Sequence, residues 1–226
     1  MGKKKVTAII LAAGNSVRYG QNRNKNLEIV NNQTILEYSL KEFNKNKKID
    51  NIIIASKKSD LEEINKIIYR TRSSKPIKAI IGGKTRQESV YNSINSTDSN
   101  IVIIHDAARP MIKQQYIDKC IDEMDNFKGV TIGVKSKDTI KIASDDGIIE
   151  QTTNRANTWI IQTPQCFDRL SLLEAHDKFK NDPDITDDCM ILERNNQKVK
   201  IISGDYSNIK LTTFDDLNLV NEFLKK

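Results

Sequence analysis

The chain has 226 residues, of which 38% are hydrophobic and 6% aromatic, and 36 basic against 30 acidic residues give a formal net charge of +6. This apolar fraction supports a core and excludes a disordered tail, and no apolar run approaches the roughly 20 residues that cross a bilayer. Length and composition predict one soluble domain over residues 1–226, and the mild basic excess favours anionic ligands without choosing among nucleic acid, phosphate metabolites and acidic surfaces.

Short β-rich runs alternate along the chain with amphipathic stretches of helical periodicity. The predicted strands are Val6–Leu11, Asn51–Ala55, Ile77–Ile81, Ile101–His105 and Gly129–Val134. Such alternation builds parallel sheets with helices on their faces. The sequence therefore predicts an α/β fold with a mostly parallel sheet flanked by helices.

Capping boxes predict where several helices begin. Four pairs place a hydroxyl three residues before an acid: Thr34 with Glu37, Ser59 with Glu62, Thr85 with Glu88, and Thr213 with Asp216. In such a box the hydroxyl and the acid each accept a hydrogen bond from the other residue's backbone. A further helix is indicated by the apolar stripe that contains Ile117, Cys120 and Met124.

The segment 136–154 carries the signal of a β-hairpin. Stretches of alternating polar and apolar residues flank the turn-rich Ser144–Gly147. We expect this hairpin to project from the main sheet as an arm and to bury one face against another subunit.

The three cysteines, Cys120, Cys166 and Cys189, are widely spaced and form no C-x-x-C pair. This pattern argues against a disulfide framework and against a zinc site. It predicts reduced thiols and a cytoplasmic location.

The first candidate ligand site is Leu11–Gly20, directly after the first strand, with Lys25 shortly beyond. Small residues let the backbone approach a ligand, main-chain N–H groups can bind phosphate oxygens, and Arg18 and Lys25 add positive charge. The glycine spacing matches neither a Walker loop nor G-x-G-x-x-G. A phosphate site and a polar turn with two solvated cations both fit this segment.

The second candidate is Gly82–Val90, where paired glycines run from a strand into a capped helix. Two glycines permit the close approach of a flat ligand such as a base, with Arg86 and Ser89 within reach. A plain glycine turn is the structural alternative.

The third candidate is His105–Pro110, at the carboxyl end of a strand, where open α/β sheets hold their ligands. Asp106 beside an anionic ligand requires a divalent cation between them or a hydrogen bond from the ligand. An internal ion pair with Arg109 is the alternative. We expect His105 to be a structural residue, because His176 is the only other histidine in the chain.

Further polar motifs follow in the order KDTIK, TNRANTW, QTPQ, TDD and NIKLTT. Together with LAAG, GGKTRQESV and HDAARP, this series resembles the 2-C-methyl-D-erythritol 4-phosphate cytidylyltransferase family, which includes close relatives that act on ribitol 5-phosphate. The resemblance covers nearly the whole chain. It implies a single nucleotidyltransferase domain with a Rossmann-like sheet, and a homodimer with a protruding β-arm.

The resemblance also implies roles for particular residues. The nucleotide would be held by Ala12, Ala13, Gly14, Gly82, Arg86, Ser89 and Asp106. The reacting phosphates would be met by the catalytic cations Arg18, Lys25 and Lys210, with Mg²⁺ held mainly by the phosphates of CTP. The sugar-alcohol phosphate would be held by Arg109 and Thr186, and by Thr139 and Arg155 from the partner's arm.

The chain departs from the family pattern beside these cations. Ser16 stands where the family usually has glycine, with Asn15 next to it, and Asn24 and Asn26 flank Lys25 where Pro-Lys-Gln is common. These departures concern the shape of the phosphate loop and leave its charge unchanged.

The implied reaction is attack of a substrate phosphate oxygen on the α-phosphorus of CTP, giving a CDP-alcohol and pyrophosphate. Because a phosphate monoester is mostly dianionic at pH 7, this nucleophile needs no general base. KDTIK, HDAARP and TDD resemble the methylerythritol enzymes of isoprenoid biosynthesis, whereas Asn154–Ala156 and Gly204–Ser207 resemble the relatives that make CDP-ribitol. We favour the methylerythritol substrate, and ribitol 5-phosphate stays open.

Two other functional classes fit the sequence less well. A nucleic-acid-binding module would carry aromatic stacking platforms and a clustered basic stripe, and the sequence shows neither. A dinucleotide-dependent oxidoreductase would carry G-x-G-x-x-G after the first strand. We therefore expect CTP and a sugar-alcohol phosphate as partners, and neither nucleic acid nor a membrane.

Overall fold

The computed structural model describes residues 4–14, 19, 24–180 and 182–224. Eleven strands lie within these ranges: β1 (Val6–Leu11), β2 (Ile29–Val30), β3 (Gln33–Thr34), β4 (Asn51–Ser56), β5 (Ile77–Ile81), β6 (Ile101–Asp106), β7 (Gly129–Lys135), β8 (Lys141–Ala143), β9 (Ile149–Thr152), β10 (Trp159–Asp168) and β11 (Val199–Ser203). All five predicted strands are confirmed in the central sheet, which also contains the unpredicted β10 and β11.

Seven α-helices are described in the same ranges: α1 (Ile35–Lys45), α2 (Leu61–Thr71), α3 (Arg86–Asn95), α4 (Gln114–Asp122), α5 (Arg169–Phe179), α6 (Asp188–Arg194) and α7 (Phe214–Leu224). None of the helices in the described part of the chain is long and apolar enough to span a membrane.

The predicted caps are confirmed at three of the four positions. Thr34 forms a complete box with Glu37, and the Thr85 side chain accepts from the Glu88 backbone. Asp216 accepts from the backbone of Thr213. The prediction at Ser59 is wrong, because its hydroxyl donates to Asp60 Oδ1 and a 3₁₀ turn, Lys58–Asp60, precedes α2.

The strand order in the seven-stranded sheet is β11-β7-β10-β6-β1-β4-β5. β1 is parallel to both β4 and β6, whereas β10 is antiparallel to its neighbours β6 and β7. The chain moves outward from β1 to β4 and β5 and then returns to β6 on the other side of β1. This reversal makes the carboxyl ends of β1 and β6 the switch point at which such sheets bind ligands.

Helices cover both faces of the sheet. One apolar cluster joins the sheet to α1, α2 and α4 and includes Phe43, Ile67 and Cys120. A second joins the opposite face to α3, α5 and α6, and a third packs α7 against Ile35, Ala108 and Leu211. The confirmed core position of Cys120 follows from its side of α4, and burial raises the pKa of its thiol to about 12.

The predicted hairpin is confirmed as a ribbon of β8 and β9, with a turn at Ser144–Gly147. Both strands are exposed along their length, and Ile148 and Ile149 are 68% and 59% exposed. The ribbon begins after the carboxyl end of β7 and returns into β10, whose Trp159 pairs with Lys135. Both ends of the arm therefore leave the sheet at its ligand-binding edge.

Candidate active site

Segments from distant parts of the sequence meet at the carboxyl edge of the parallel strands. They follow β1, β5, β6 and β11, and they include the first half of the reversed strand β10. Two clefts open along this edge.

The first cleft has a volume of about 390 Å³ and lies over the switch point. It is lined by segments from five places in the chain: Leu11, Ala13, Gly14, Lys25, Asn26, Gly83, Lys84, Thr85, Arg86, Ser89, Asp106, Ala108, Lys210 and Thr212. Ala12 is fully buried behind this lining. Most of the residues that the sequence assigns to the nucleotide are thus brought together.

The second cleft, of about 580 Å³, lies beside the first. Its lining includes Arg109 and Thr186, and it shares Arg86, Asp106 and Lys210 with the first cleft. A ligand in one cleft would therefore meet a ligand in the other at these three charged side chains. We call this meeting point the junction.

Asp106 lies at the junction and is surrounded by three cations. Its carboxylate oxygens lie 2.6 Å from Lys210 Nζ, 3.6 Å from Arg86 Nε and 4.0 Å from Arg109 Nε. Burial raises the pKa of this carboxyl, but the charges of Arg86, Lys210 and Arg109 outweigh it and hold the pKa well below its usual range. Arg86 is also paired with Asp188, so three cations face two carboxylates, and the remaining positive charge suits the junction to phosphate groups. The sequence alternative of an Asp106–Arg109 pair is therefore one part of a larger cluster.

Arg86 is held from behind by a buried carboxylate. Its Nη1 lies 2.8 Å from Oδ2 of Asp188, which is fully buried, and the other carboxylate oxygen lies 3.7 Å from His176 Nε2. Burial raises the pKa of Asp188, but Arg86 and His176 hold it below its usual range. From the TDD motif, the sequence analysis assigned a role to Thr186 alone. The negative charge of the two aspartates that follow it was the available signal for the contact between Asp188 and Arg86.

The glycine turn after β5 is tightly packed against the neighbouring segments. A Cβ atom on Gly82 would lie 2.8 Å from both Ala13 Cβ and Ser89 Oγ. The Ser89 hydroxyl accepts from the Gly83 backbone and donates to the Thr85 carbonyl, at 3.0 and 2.9 Å. Ser89 thus fixes the turn, and the absence of a Cβ at Gly82 lets the turn close onto the loop after β1.

Two asparagines position Lys25. Asn24 donates to the Ala12 carbonyl at 2.9 Å and accepts from the Asn26 backbone at 3.0 Å, and Asn26 donates to the same carbonyl at 3.3 Å. These contacts tie the 3₁₀ turn Lys25–Leu27 to the end of β1. The departures from the family pattern at Asn24 and Asn26 therefore form a cap of their own. Arg18, Asn15 and Ser16 lie outside the described residues.

His105 is a structural residue, as the sequence predicts. Its Nδ1 lies 3.0 Å from Thr163 Oγ1, which also accepts from the Asp106 backbone, and its Nε2 lies 3.0 Å from the Arg109 carbonyl. The carbonyl requires an N–H on Nε2, so Nδ1 accepts from the Thr163 hydroxyl. Burial lowers the pKa of His105 to about 4, which keeps the ring neutral.

Lys210 belongs to residues 208–213, a segment we call the strap. Asn208 is fully buried; its side chain donates to the Thr163 carbonyl at 2.9 Å, and its own carbonyl accepts from Arg109 at 2.8 Å. Further along, the Leu211 backbone donates to the Ala108 carbonyl at 2.8 Å. Sequence reasoning assigned no role to Asn208 or Thr163, although both stand inside the motifs it recognised.

Thr139 and Arg155 do not line either cleft of their own chain. Both are exposed, Thr139 before β8 and Arg155 in a 3₁₀ turn after β9. Among the residues assigned to the sugar-alcohol phosphate, the structure thus brings Arg109 and Thr186 together and leaves the two residues of the arm apart from them.

The described residues contain no group of three or more His, Cys, Asp or Glu side chains that could hold a metal ion. Within the described lining of the first cleft, the acidic side chain is Asp106. A divalent cation in this cleft would therefore need most of its oxygen ligands from a bound ligand, and triphosphate oxygens are of the hard type that Mg²⁺ prefers.

Comparison with known proteins agrees with this geometry. Residues 6–226 match the family model described as 2-C-methyl-D-erythritol 4-phosphate cytidylyltransferase. A relative of that name from Clostridium acetobutylicum is 39% identical over 222 residues, which is 97% of each chain. The crystal structure of 4-diphosphocytidyl-2C-methyl-D-erythritol synthase from Anaerococcus prevotii superposes with a TM-score of 0.88 at 33% identity and full coverage of both chains.

A third match shows the same pattern. The crystal structure of the Francisella tularensis 2-C-methyl-D-erythritol 4-phosphate cytidylyltransferase has a TM-score of 0.81 at 30% identity, and covers 96% of this chain and 99% of that one. The seven-stranded sheet, the two clefts and these matches lead to one conclusion: the chain belongs to the 2-C-methyl-D-erythritol 4-phosphate cytidylyltransferase family.

Proposed function

We propose that this chain transfers the cytidylyl group of CTP to 2-C-methyl-D-erythritol 4-phosphate and releases pyrophosphate, a step of isoprenoid precursor synthesis. The observation that carries the proposal is the junction. Two clefts of ligand size meet at Arg86, Asp106 and Lys210, so two phosphorylated substrates would bring their phosphates to the same point. Family membership then supplies the identity of the substrates.

The first cleft is the proposed CTP site. Gly83 lines this cleft, and Gly82 lets the glycine turn close onto the loop after β1. That loop, with Ala13 and Gly14, offers backbone N–H groups to the phosphates. Ala12 acts from behind by anchoring Asn24 and Asn26. Ser89 keeps the glycine turn in place, and Arg86 closes the cleft toward the junction.

Catalysis in this proposal consists of charge stabilisation. The dianionic phosphate of the sugar alcohol attacks the α-phosphorus, the bond to the β-phosphate oxygen breaks, and pyrophosphate leaves with the electron pair. Lys25, Lys210 and Arg18 stabilise the negative charge on the transferring and leaving groups, and Arg109 and Thr186 hold the attacking phosphate. Because the backbone segments that carry Lys25 and Lys210 are tied to the edge of the sheet before the substrates bind, these two cations need little reorganisation during the reaction.

Nucleotidyltransferases generally use a divalent metal, and we infer that Mg²⁺ binds here with CTP. The cation supplies charge neutralisation at the triphosphate. Asp106 is the carboxylate that the first cleft can offer to it, and its lowered pKa keeps this carboxylate ionised at neutral pH.

The arm is proposed to complete the site of a second copy of the chain. Its exposed isoleucines, among them Ile148 and Ile149, provide an apolar face for association. Thr139 and Arg155 lie outside the clefts of their own chain, as expected for residues that serve a neighbour. A homodimer formed through the arm would bring Arg155 to the sugar-alcohol phosphate.

Steady-state kinetics with two sugar-alcohol phosphates tests the proposed substrate. We expect pyrophosphate release from CTP with 2-C-methyl-D-erythritol 4-phosphate, and a kcat/KM for ribitol 5-phosphate that is at least tenfold lower. A preference for ribitol 5-phosphate would contradict the proposal, and so would the absence of turnover with both. The comparisons do not favour the ribitol alternative, because the matched family and the relatives cited above carry the methylerythritol name.

A further inference from the structure

Asp216 binds the end of the strap with a single carboxylate oxygen. Its Oδ2 accepts hydrogen bonds from the backbone N–H of Thr212 and of Thr213, both at 2.8 Å, and from the Thr213 hydroxyl at 3.2 Å. A capping box accounts for the contact with Thr213, but the contact with Thr212 reaches one residue further back. Thr212 lines the first cleft and stands two residues after Lys210.

The strap is therefore held on both sides of Lys210. On the amino-terminal side, Asn208 is fixed by Thr163 and Arg109. On the carboxyl-terminal side, the contacts of Asp216 follow the bond from Leu211 to Ala108. Between these points Lys210 reaches Asp106, and its side chain is 37% exposed to the cleft. A long, partly exposed lysine keeps one position only if the backbone that carries it is fixed.

Asp216 is suited to act as an anionic clamp. Burial raises the pKa of its carboxyl, but hydrogen bonds from Thr213 and Thr212 and the positive charge of Lys25 hold the pKa below its usual range. An ionised carboxylate is an acceptor only, so one oxygen can serve several N–H and O–H donors at once. Lys25, which lines the same cleft, therefore also supports the charge state of the clamp.

We propose that Asp216 is a positioning residue of the transfer reaction, which holds the strap so that Lys210 stays at the junction of the two clefts. The inference rests on the proposed function, because it takes Lys210 as a cation that meets the reacting phosphates. Asp216 itself lines neither cleft, so it would act through the strap and not by contact with a substrate.

The test uses two substitutions of Asp216 and a matched control from the same helical turn. Asp216→Ala removes the clamp, and we expect kcat to fall by about 10- to 100-fold, the effect that a misplacement of about 1 Å can have. Asp216→Asn keeps an oxygen acceptor and should recover part of the loss. Asp215 is exposed in the first turn of α7, so Asp215→Ala should keep kcat and KM within twofold of the parent chain. Circular dichroism at the assay temperature shows whether each variant is folded.

A second measurement separates positioning from helix stability. If Asp216 acts through Lys210, then Asp216→Ala should cost at most about twofold in a Lys210→Ala background, because residues that act as a unit are not additive. An equal loss in both backgrounds would overturn the proposal, as would an Asp216→Ala variant with the kcat of Asp215→Ala. If Asp216→Ala does not fold, Asp216→Asn carries the same cycle.

Failure of the inference can be told apart from failure of the proposed function. Without turnover of CTP and 2-C-methyl-D-erythritol 4-phosphate by the parent chain, the proposed function is wrong. The position of Lys210 is then read from CTP affinity in titration calorimetry, where Asp216→Ala should bind more weakly than Asp215→Ala. Equal affinities would overturn the inference by themselves.

Discussion

Lys25 depends on its two neighbours for its position. Asn24 and Asn26 both donate to the carbonyl of Ala12, so the turn that carries Lys25 moves with the end of β1. A loop cation is thereby fixed to the most central part of the sheet. This is the type of arrangement in which a charge stabilises a transition state without reorganisation.

Lys25→Ala should lower kcat by about 100-fold or more, the order of effect that follows loss of a preorganised donor. Stopped assays of pyrophosphate release at saturating CTP measure this directly. Lys66→Ala on the exposed surface of α2 serves as the control for loss of one positive charge, and it should turn over normally. Normal turnover of Lys25→Ala would refute the role assigned to Lys25.

Gly82→Ala should weaken CTP binding by at least tenfold and destabilise the protein by about 1 to 3 kcal/mol. The added Cβ would press on Ala13 and on Ser89, both 2.8 Å away, and would separate the loop after β1 from the glycine turn. Calorimetric titration with CTP and urea unfolding measure the two effects.

Gly14→Ala is the control for the effect of Gly82→Ala on stability. Among the described residues, and apart from the chain neighbours of Gly14, no heavy atom lies within 4 Å of a Cβ built on Gly14, so this variant should unfold at the parent urea concentration. If Gly82→Ala also unfolds at that concentration and binds CTP normally, the close packing of the glycine turn has no energetic significance.

Periodicity predicted the elements that follow simple rules and missed those that break them. The five strands that were predicted correctly are short β-rich runs without proline, whereas β10 contains Pro164, which normally marks an edge strand or a position outside a sheet. β10 accommodates the proline where its pairing with β7 shifts between Ile161 and Gln165. Neither the shift nor the reversed direction of β10 is visible in local sequence.

In the candidate site, too, some residues could be predicted from the sequence and others could not. Arg86 and Asp106 were identified because polar motifs that follow predicted strands point to the carboxyl edge, whereas the role of Lys210 was implied by the family resemblance of its motif. The supporting residues could not be inferred, since Asp188, Asn208 and Asp216 act through contacts between segments that are distant in sequence. Their roles depend on which side chains the fold brings together.

His105, near the end of β6, makes the free energy of unfolding depend on pH. The folded-state pKa of His105 is lowered to about 4 by burial, whereas its ordinary value is near 6.5, so the unfolded chain binds more protons between these values. The contribution is fully present above pH 6.5 and is lost as the pH falls toward 4. Between pH 6.5 and 5 we expect the free energy of unfolding to fall by about 1.5 kcal/mol from this group.

Urea unfolding at the two pH values measures this loss, and the same experiment on His105→Gln isolates its origin. Glutamine does not titrate, so the variant should lose less stability over the same interval even if it is less stable throughout. Equal pH dependence of the two proteins would show that His105 is not the source.

At the scale of the whole molecule, the proposed dimer can be tested by mixing two inactive variants. Arg155→Ala should raise the KM for the sugar-alcohol phosphate with little effect on CTP, and Lys210→Ala should lower kcat. If the arm serves the neighbouring subunit, a heterodimer of the two variants contains one intact site. After subunit exchange, an equal mixture should recover about a quarter of the parent activity.

Each variant alone, at the same total concentration, is the control for the mixing experiment, and light scattering reports the oligomeric state. Recovery requires that Arg155 and Lys210 of different chains meet. A dimer whose mixture stays as inactive as its components would place Arg155 with the Lys210 of its own chain, and a monomer would exclude exchange altogether.

The reversed direction of β10 has a consequence for how a neighbour can take part in the chemistry. If β10 were parallel to β7, the connection between them would have to cross from the carboxyl edge of the sheet to the opposite edge. A short hairpin at the carboxyl edge, where CTP is proposed to bind, could not make that connection. Because β10 is antiparallel to β7, the two ends of the arm instead lie side by side at the paired residues Lys135 and Trp159, a few residues from Gln162 and Thr163. Thr163 contacts both Asp106 and Asn208, so the arm leaves the sheet beside the residues that orient the ligand-binding side chains, and a subunit contact made by the arm would act close to them.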